Sequence, residues 1–481
     1  MNNKNYIKLI IKSKIAFFSE IKGFIILRTY GYKIWENIKN ILNNILIKTK
    51  HKNVYFPLLI PKKIFFIDKN HIKNFYKECA IVTHSKFIIK NNKVILDPKS
   101  KLEEELIIRP TSESIIWYTY SKIIQSYRNL PILINQWSNI IRLEIRNKIF
   151  IRNSEFILQE GHTGHKNKIE CINEIIKIKN IYKKFIKNYL CIPFITGFKT
   201  NNEKFSGAKF TFTFETIINN YKCLQLATIH YFAKNFSKVY KVKYTNKKGK
   251  IKYIWCTSWG ISTRLIGAII MIHSDKNGLI LPPKIAPIHI IIIPIIYNNN
   301  KNLIYKINKI VYKIKKIFYN KNIIIKYDNN IYKKPGNKFY KYENKGIPLR
   351  IIIGKKEIKN NIIEIVRRDN FKKYYYKINN KLYNKILKIF KKIQINLYYK
   401  AKKKMKSNTL IINNYKIFKN LFKKKKCGFI IAYYKINKYT ELKIKKDTNA
   451  TIRCLIKKKK IGKCIYTGKI TNYIAIFGKS Y

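Results

Sequence analysis

The most restrictive feature of this 481-residue chain is one run of isoleucines, Ile288-His289-Ile290-Ile291-Ile292-Ile293-Pro294-Ile295-Ile296. It is its longest greasy stretch and falls far short of the ~18–20 apolar residues that a membrane span requires. Its β-branched side chains and short length read instead as a buried strand. The run follows Pro282-Pro283, where the texture of the chain changes. Beyond it the pattern alternates: a helix-like stretch at 302–318, a strand at 322–327, the breakers Pro335-Gly336 and Gly346-Ile347-Pro348, then strands at 349–353 and 362–367. Such alternation implies a compact α/β domain. Upstream, the spacing of Trp35, Ile38, Ile41, Leu42 and Ile45 predicts a helix over 33–48. A proline-ended strand follows at 54–61, then a polar hairpin or loop at 85–105 and a helix at 113–127. Two strands within 132–160 flank a basic loop at 145–149, and a helix covers 166–189. Strands near 208–214, 223–228 and 251–257 precede a helix that begins near Ser262. The lysine-rich stretch 400–407 reads as a linker or a helix end, before a small C-terminal unit. No internal repeat is present, and the basic first 20 residues lack the small-residue cleavage site of a signal peptide.

Charge is less decisive than it looks. The chain carries 101 basic and 24 acidic residues, a net +77. That balance suits a polyanion partner such as RNA. It equally suits an AT-rich coding sequence, which favours Lys, Ile, Asn, Tyr and Phe. Arginine is more selective. Only 11 are present, and five of them (Arg109, Arg128, Arg142, Arg146 and Arg152) fall between positions 109 and 152. Where lysine has replaced arginine almost everywhere, the survivors mark sites that need a planar fork gripping a carboxylate or phosphate through two parallel hydrogen bonds. Chance clustering is the alternative. The eight scattered cysteines form no C-x-x-C pair and point to neither a disulfide framework nor a zinc site.

Three separated pieces carry the chemistry: Arg109-Pro110-Thr111-Ser112-Glu113; then Arg142-Leu143-Glu144 with Arg152-Asn153-Ser154-Glu155-Phe156; and Gly260-Ile261-Ser262-Thr263-Arg264-Leu265-Ile266-Gly267. The second and third resemble motifs 2 and 3 of the class II aminoacyl-tRNA synthetases, and the segment ending at Pro57 resembles motif 1. The strings Leu133-Ile134-Asn135-Gln136-Trp137, Gln159-Glu160-Gly161-His162-Thr163, Thr257-Ser258-Trp259-Gly260 and Ile365-Val366-Arg367-Arg368-Asp369 narrow this. They look like prolyl-tRNA synthetases of the archaeal/eukaryotic type, over nearly the whole chain. The resemblance implies an α+β protein. An antiparallel-sheet catalytic domain would span 1–285, an α/β anticodon-binding domain 286–398, and a small C-terminal α/β domain 399–481.

The resemblance also implies an enzyme that activates L-proline with ATP and Mg2+ and transfers it to tRNA(Pro). Such a reaction holds two anions together while charge builds on a phosphate, so the protein supplies position and positive charge. By resemblance Arg142 bridges the proline carboxylate and the α-phosphate, and Glu144 takes the adenine amino group or orients nearby ligands. Arg152 and Arg264 hold the outer phosphates, while Asn153, Gln225, Thr228 and Ser262 line the nucleotide site. Thr111 and Glu113 accept the prolyl ammonium, although alone they read as a helix N-cap with a first-turn acid. Phe205 and His230 wall the ring. Taken alone, Arg142 and Glu144 would be an ordinary cross-strand ion pair. His162 and His165 have metal-pair spacing but no companion ligands, and His162 is expected to order the pocket through hydrogen bonds. Arg350, Arg367 and Arg368 are candidates for anticodon-stem contacts or surface salt bridges. The chain departs from the family at Leu158, Phe198 and Leu226-Ala227. It also departs at the C-terminal positions Lys435, Thr440, Cys464 and Thr467, where one thiolate cannot hold structural zinc, so no zinc is expected. A homodimer in the cytoplasm or an organelle, without membrane association, completes the expectation. The rivals are a class II synthetase for another amino acid and an inactive RNA-binding paralogue.

Overall fold

The computed structural model describes residues 3–72, 75–296, 300–424 and 426–481. Its largest sheet has eleven strands. From one edge these are Thr409–Ile411, Phe429–Tyr433, Ile470–Ser480, Thr451–Lys463, Ile195–Phe198, Phe210–Ile217, Lys222–Ala233, Trp255–Ser262, Glu155–His165, Ile132–Ile141 and Lys52–Val54. Pairing is antiparallel except in the two edge pairs and where Lys222 and Cys223 meet Lys479 and Ser480. The sheet thus runs unbroken from residues 52–262 into the C-terminal unit. Helix Lys168–Asn188 packs on it through Cys171, Ile175, Ile178, Tyr182 and Phe185, whose spacing of three and four residues makes one apolar stripe. Helix Thr29–Lys48 does the same with Ile34, Ile38, Leu42 and Leu46.

The isoleucine run forms the strand Ile290–Pro294, every residue of which is buried. Successive side chains of a strand point to opposite faces, so a continuous apolar run needs cover on both. Ile290 and Ile292 pack with Ile307, Val311 and Ile314 of helix Lys301–Ile317 and with Ile386, Ile389 and Ile393 of helix Leu382–Ser407. Ile291 and Ile293 pack instead with Tyr342 and Ile347. This strand sits within a five-stranded mixed sheet, ordered Ile325–Tyr327, Ile290–Pro294, Leu349–Ile353, Ile362–Arg367 and Lys373–Lys377.

Of the two readings of the stretch 400–407, the helix end holds: it is the last part of the 26-residue helix Leu382–Ser407, so a boundary at 398 falls inside that helix. Leu397 and Ala401 continue its buried stripe while the lysines face water, and the density of lysine hid the period. The expected strand at 54–61 is two short strands, Lys52–Val54 and Leu59–Pro61. Arg109 satisfies part of the unpaired backbone between them, donating Nη1 to the carbonyls of Phe56 and Pro57 at 2.8 and 3.1 Å and Nε and Nη2 to Asn139 O at 3.3 and 2.8 Å. Its side chain is fully buried, and burial pulls its pKa below the ordinary arginine value. The surviving arginine at 109 therefore serves the fold. Likewise Arg350 is paired with Glu343 at 2.7 Å, Arg367 with Asp369 at 2.6 Å and Arg368 with Asp275 through two bonds of 2.6 and 2.8 Å. The last pair ties the five-stranded sheet to the segment that follows helix Arg264–His273.

Replacing Arg109 with lysine keeps a charge but not the fork that reaches three carbonyls. The expected loss for Arg109→Lys is about 2–4 kcal/mol, read as an earlier denaturant transition of the full chain.

Candidate active site

The eleven-stranded sheet presents one face to a cavity of about 280 Å³. Antiparallel register selects the side chains there. Leu158 lies opposite Ser262, Glu160 opposite Gly260 and His162 opposite Ser258, while the next strand sets Thr228 against Gly260 and His230 against Ser258. All of these residues border the cavity. A bulge between Phe214 and Glu215 shifts the pairing so that Ala227 faces Phe214 and Gln225 faces Glu215, and Gln225, Leu226 and Ala227 reach the cavity together. Thr111 and Glu113 enter from the start of helix Glu113–Ile123, Arg142 from just past strand Ile132–Ile141, and Arg264 from the first residue of helix Arg264–His273.

At one end the cavity is lined by acceptors and rings. Thr111 Oγ1 donates to Glu113, Ser258 Oγ lies 3.4 Å from Glu113 Oε1, and His162 Nε2 lies 3.5 Å from the same oxygen. Contrary to expectation, neither ring nitrogen of the buried His162 makes a hydrogen bond among the described residues. The Phe205 and His230 rings lie 4.5 Å apart. Thr211, which the sequence did not single out, sets both: its hydroxyl is 2.9 Å from His230 Nδ1 and accepts the Phe205 N–H at 3.1 Å. Beneath, buried Glu160 receives Gln136 Nε2 at 2.8 Å and the Ser112 hydroxyl.

From its middle to its other end the cavity is cationic. Arg142 Nε donates to Pro110 O at 2.9 Å, and its guanidinium lies 4.8 Å from the centroid of Phe75 and 5.6 Å from that of Phe156. Burial lowers its pKa, while Glu113, Glu78, Glu144 and Glu160 pull the other way. Arg264 Nε donates to Ile151 O at 3.0 Å. Burial, then the neighbouring charges of Arg152 and Arg142, push Arg264 down to about 10. Guanidiniums crowded in this way favour an incoming anion, which relieves both the repulsion and the desolvation.

Three sequence candidates do not line the cavity. Arg152 and Glu144 pair with each other at 3.5 Å, and Asn153 is buried with Oδ1 accepting the Phe150 N–H at 3.0 Å, inside the turn that follows strand Ile132–Ile141. Of the departures from the family pattern, Leu158 and Leu226-Ala227 border the cavity. Phe198 does not, and packs against Phe210 and Phe212. His165 is engaged by Thr163 Oγ1 at 2.8 Å, and among the described residues no group of three or more His, Cys, Asp or Glu side chains could hold a metal ion.

An antiparallel sheet with two arginines on one face, one from the loop after a strand and one at a helix start, is the arrangement that the resemblance to class II aminoacyl-tRNA synthetases implies. Accordingly, residues 93–273 match the tRNA synthetase class II core domain (G, H, P, S and T), residues 289–388 an anticodon binding domain, and residues 415–481 the prolyl-tRNA synthetase C-terminal domain. Curated relatives include the proline–tRNA ligase of Azobacteroides pseudotrichonymphae, 46% identical over 99% of this chain and 96% of the relative, and that of Bacteroides fragilis, 43% identical with the same coverage. Among solved structures, prolyl-tRNA synthetase from Cryptosporidium parvum complexed with L-proline and AMP superposes with a TM-score of 0.89 at 32% identity, covering 99% of this chain and 97% of that one. The same enzyme with halofuginone and AMPPNP gives 0.90 at 33%, covering 99% and 94%. The chain belongs to the prolyl-tRNA synthetase family, the ATP-dependent proline–tRNA ligases.

One glycine is demanded by packing under this site. Gly161 lies directly across from Trp259, and a Cβ at 161 would come within 2.1 Å of the indole. Gly161→Ala must displace the core side chain of Trp259, whose chain neighbours Ser258 and Gly260 line the cavity. The expected cost is about 1–3 kcal/mol of stability, seen as a lower melting temperature together with weaker nucleotide binding by calorimetry.

Proposed function

We propose that the cavity binds L-proline at its Glu113 end and ATP at its Arg264 end, so that the proline carboxylate attacks the α-phosphate. The observation that carries this reading is that Arg142 and Arg264, distant in sequence, converge with Thr111 and Glu113 on one cavity. Arg142 stands between the two ends and bridges the carboxylate and the α-phosphate, where a planar fork holds both in line. Charge that develops on the phosphate meets two guanidiniums already in place, with little reorganisation. The Glu113 carboxylate and the Thr111 hydroxyl take the prolyl ammonium, and Phe205 with His230 supplies the wall for the flat ring. Phe156 offers an aromatic face to the adenine, and Arg264 takes the outer phosphates. Gln225, Thr228 and Ser262 offer hydrogen bonds to the nucleotide. Arg152 reaches the outer phosphates by exchanging its partner Glu144 for the nucleotide, and Glu144 is then free for the adenine amino group. Asn153, turned toward the backbone, shapes this loop instead. Mg2+ enters as part of the ATP substrate. The adenylate is then attacked by the terminal hydroxyl of tRNA(Pro).

The remaining assignments rest on surface features. Hairpin strands Phe87–Lys90 and Lys93–Leu96 are exposed throughout, with Phe87 at 70%, Ile89 at 78% and Val94 at 69%. An apolar patch of this kind suits burial against a second copy of the chain. The eight cysteines are free, which suits a reducing compartment, cytoplasmic or organellar. No helix among the described residues is long and apolar enough to cross a membrane. At the C-terminal positions Thr440 Oγ1 pairs with Tyr434 OH at 2.8 Å, and a hydroxyl there does not belong to the donor set of a structural zinc site.

In ATP–pyrophosphate exchange, stimulation by proline and not by threonine or serine is expected. Arg142→Ala should lower it by roughly 10³-fold, while Lys435→Ala should stay within about twofold of wild type. Equal activity in the two variants would overturn the assignment of Arg142. Sedimentation should give twice the chain mass, and a charged residue at Ile89 should shift it to the monomer.

A further inference from the structure

Loop 199–209, which joins strands Ile195–Phe198 and Phe210–Ile217, carries Glu203 and Phe205 to the cavity wall. Its backbone has little regular pairing of its own, yet it is held at two points by the C-terminal domain. At the tip, Glu441 of helix Lys438–Thr448 accepts Thr200 Oγ1 at one oxygen and Asn202 Nδ2 at the other, both at 2.7 Å. At the base, the fully buried Glu215 receives Lys199 Nζ at 2.8 Å on one oxygen and Arg453 Nε and Nη2 at 3.0 and 2.8 Å on the other. Burial alone would raise the Glu215 carboxyl. Lys199 and Arg453 more than offset that and hold it below its ordinary value. The same carboxylate accepts Thr213 Oγ1 at 2.8 Å, and Thr213 in turn accepts Gln225 Nε2 at 3.0 Å, so the base of the clamp reaches a cavity-lining side chain. The strands also touch: Phe198 pairs with Leu455, and a Cβ at Gly197 would lie 2.5 Å from Leu455 O.

We infer that the C-terminal domain is a clamp on the wall of the amino-acid end of the cavity, with Glu441 a positioning residue that holds loop 199–209, and through it Phe205, in place for proline. This rests on the proposal that the Glu113 end takes proline. Carboxylates are scarce in this chain, 24 against 101 bases. Glu441 nevertheless spends both its oxygens on two loop side chains rather than on one of the abundant lysines. A domain required only for the fold would not need to grip an irregular loop from two elements.

The test uses the full chain and two readouts. Glu441→Gln removes the charge, Asn202→Ala removes an exposed donor whose side chain meets Glu441, and the double variant tests whether they act through one contact. Hydrogen–deuterium exchange of the amides in 199–209 should speed up roughly tenfold in each single variant, with the rest of the catalytic sheet unchanged. In ATP–pyrophosphate exchange the KM for proline should rise roughly tenfold, the KM for ATP should stay within about twofold, and the double variant should add little to either single one. Unchanged loop exchange in both single variants, or equal rises in both KM values, would overturn the clamp. A wild-type enzyme that shows no proline-dependent exchange would sink the assignment of the cavity instead, and loop exchange alone would still decide the clamp.

Discussion

The register of three adjacent strands is the constraint on which the site depends. Glu155–His165 lies between Ile132–Ile141 and Trp255–Ser262, and side chains alternate across a sheet with a period of two. A slip of one residue would send Glu160 and His162 into the core and bring Gln159 and Gly161 to the cavity. The register is held from the core side. Trp259 fills the space that Gly161 leaves open, and Tyr182 OH reaches Gln159 Oε1 at 2.7 Å, itself linked to Asn135. Packing on one face of the sheet therefore fixes chemistry on the other.

The second constraint is electrostatic. A chain of net charge +77 must bring several guanidiniums together without unfolding around them. The few acids are placed where this matters. Glu113, Glu160, Glu174, Glu215 and Glu441 are all buried, and each lies within reach of a donor or a base: Glu174, for example, lies 3.1 Å from His51 and 2.7 Å from Lys177. A buried carboxylate left alone would cost several kcal/mol. Each is stable only as part of a satisfied cluster, and so each marks a junction between elements.

Scarcity was a usable signal in both signs, although only arginine revealed itself to pattern. Arg142 and Arg264 stand in recognisable strings and reach the cavity. Arg109, in an equally recognisable string, binds backbone carbonyls, and Arg367 and Arg368 bind Asp369 and Asp275. Sequence says that a fork is required at these places but not what it grips, because the partner lies far along the chain. The rare acids Glu215 and Glu441 stand in no motif. Only the count of acids could have drawn attention to them. Thr211, which sets both Phe205 and His230, is one of many threonines in the strands of the sheet and carried no mark at all.

The sequence by itself determined the family, the order of the main elements and most of the cavity residues. These follow from local strings and from the periods of two and 3.6 residues, which are properties of neighbours in the chain. Tertiary structure alone decided which of the motif side chains face one another and how the elements join: the closure of Glu144 upon Arg152, the turning of Asn153 toward Phe150, the extension of helix Leu382–Ser407 through its lysines, and the union of catalytic and C-terminal strands in one sheet. The physical reason is range. Backbone propensity and amphipathic period act over a few residues. Ion pairs such as Glu215 with Arg453 and strand pairs such as Phe198 with Leu455 join residues hundreds of positions apart, and nothing in either local string announces the other.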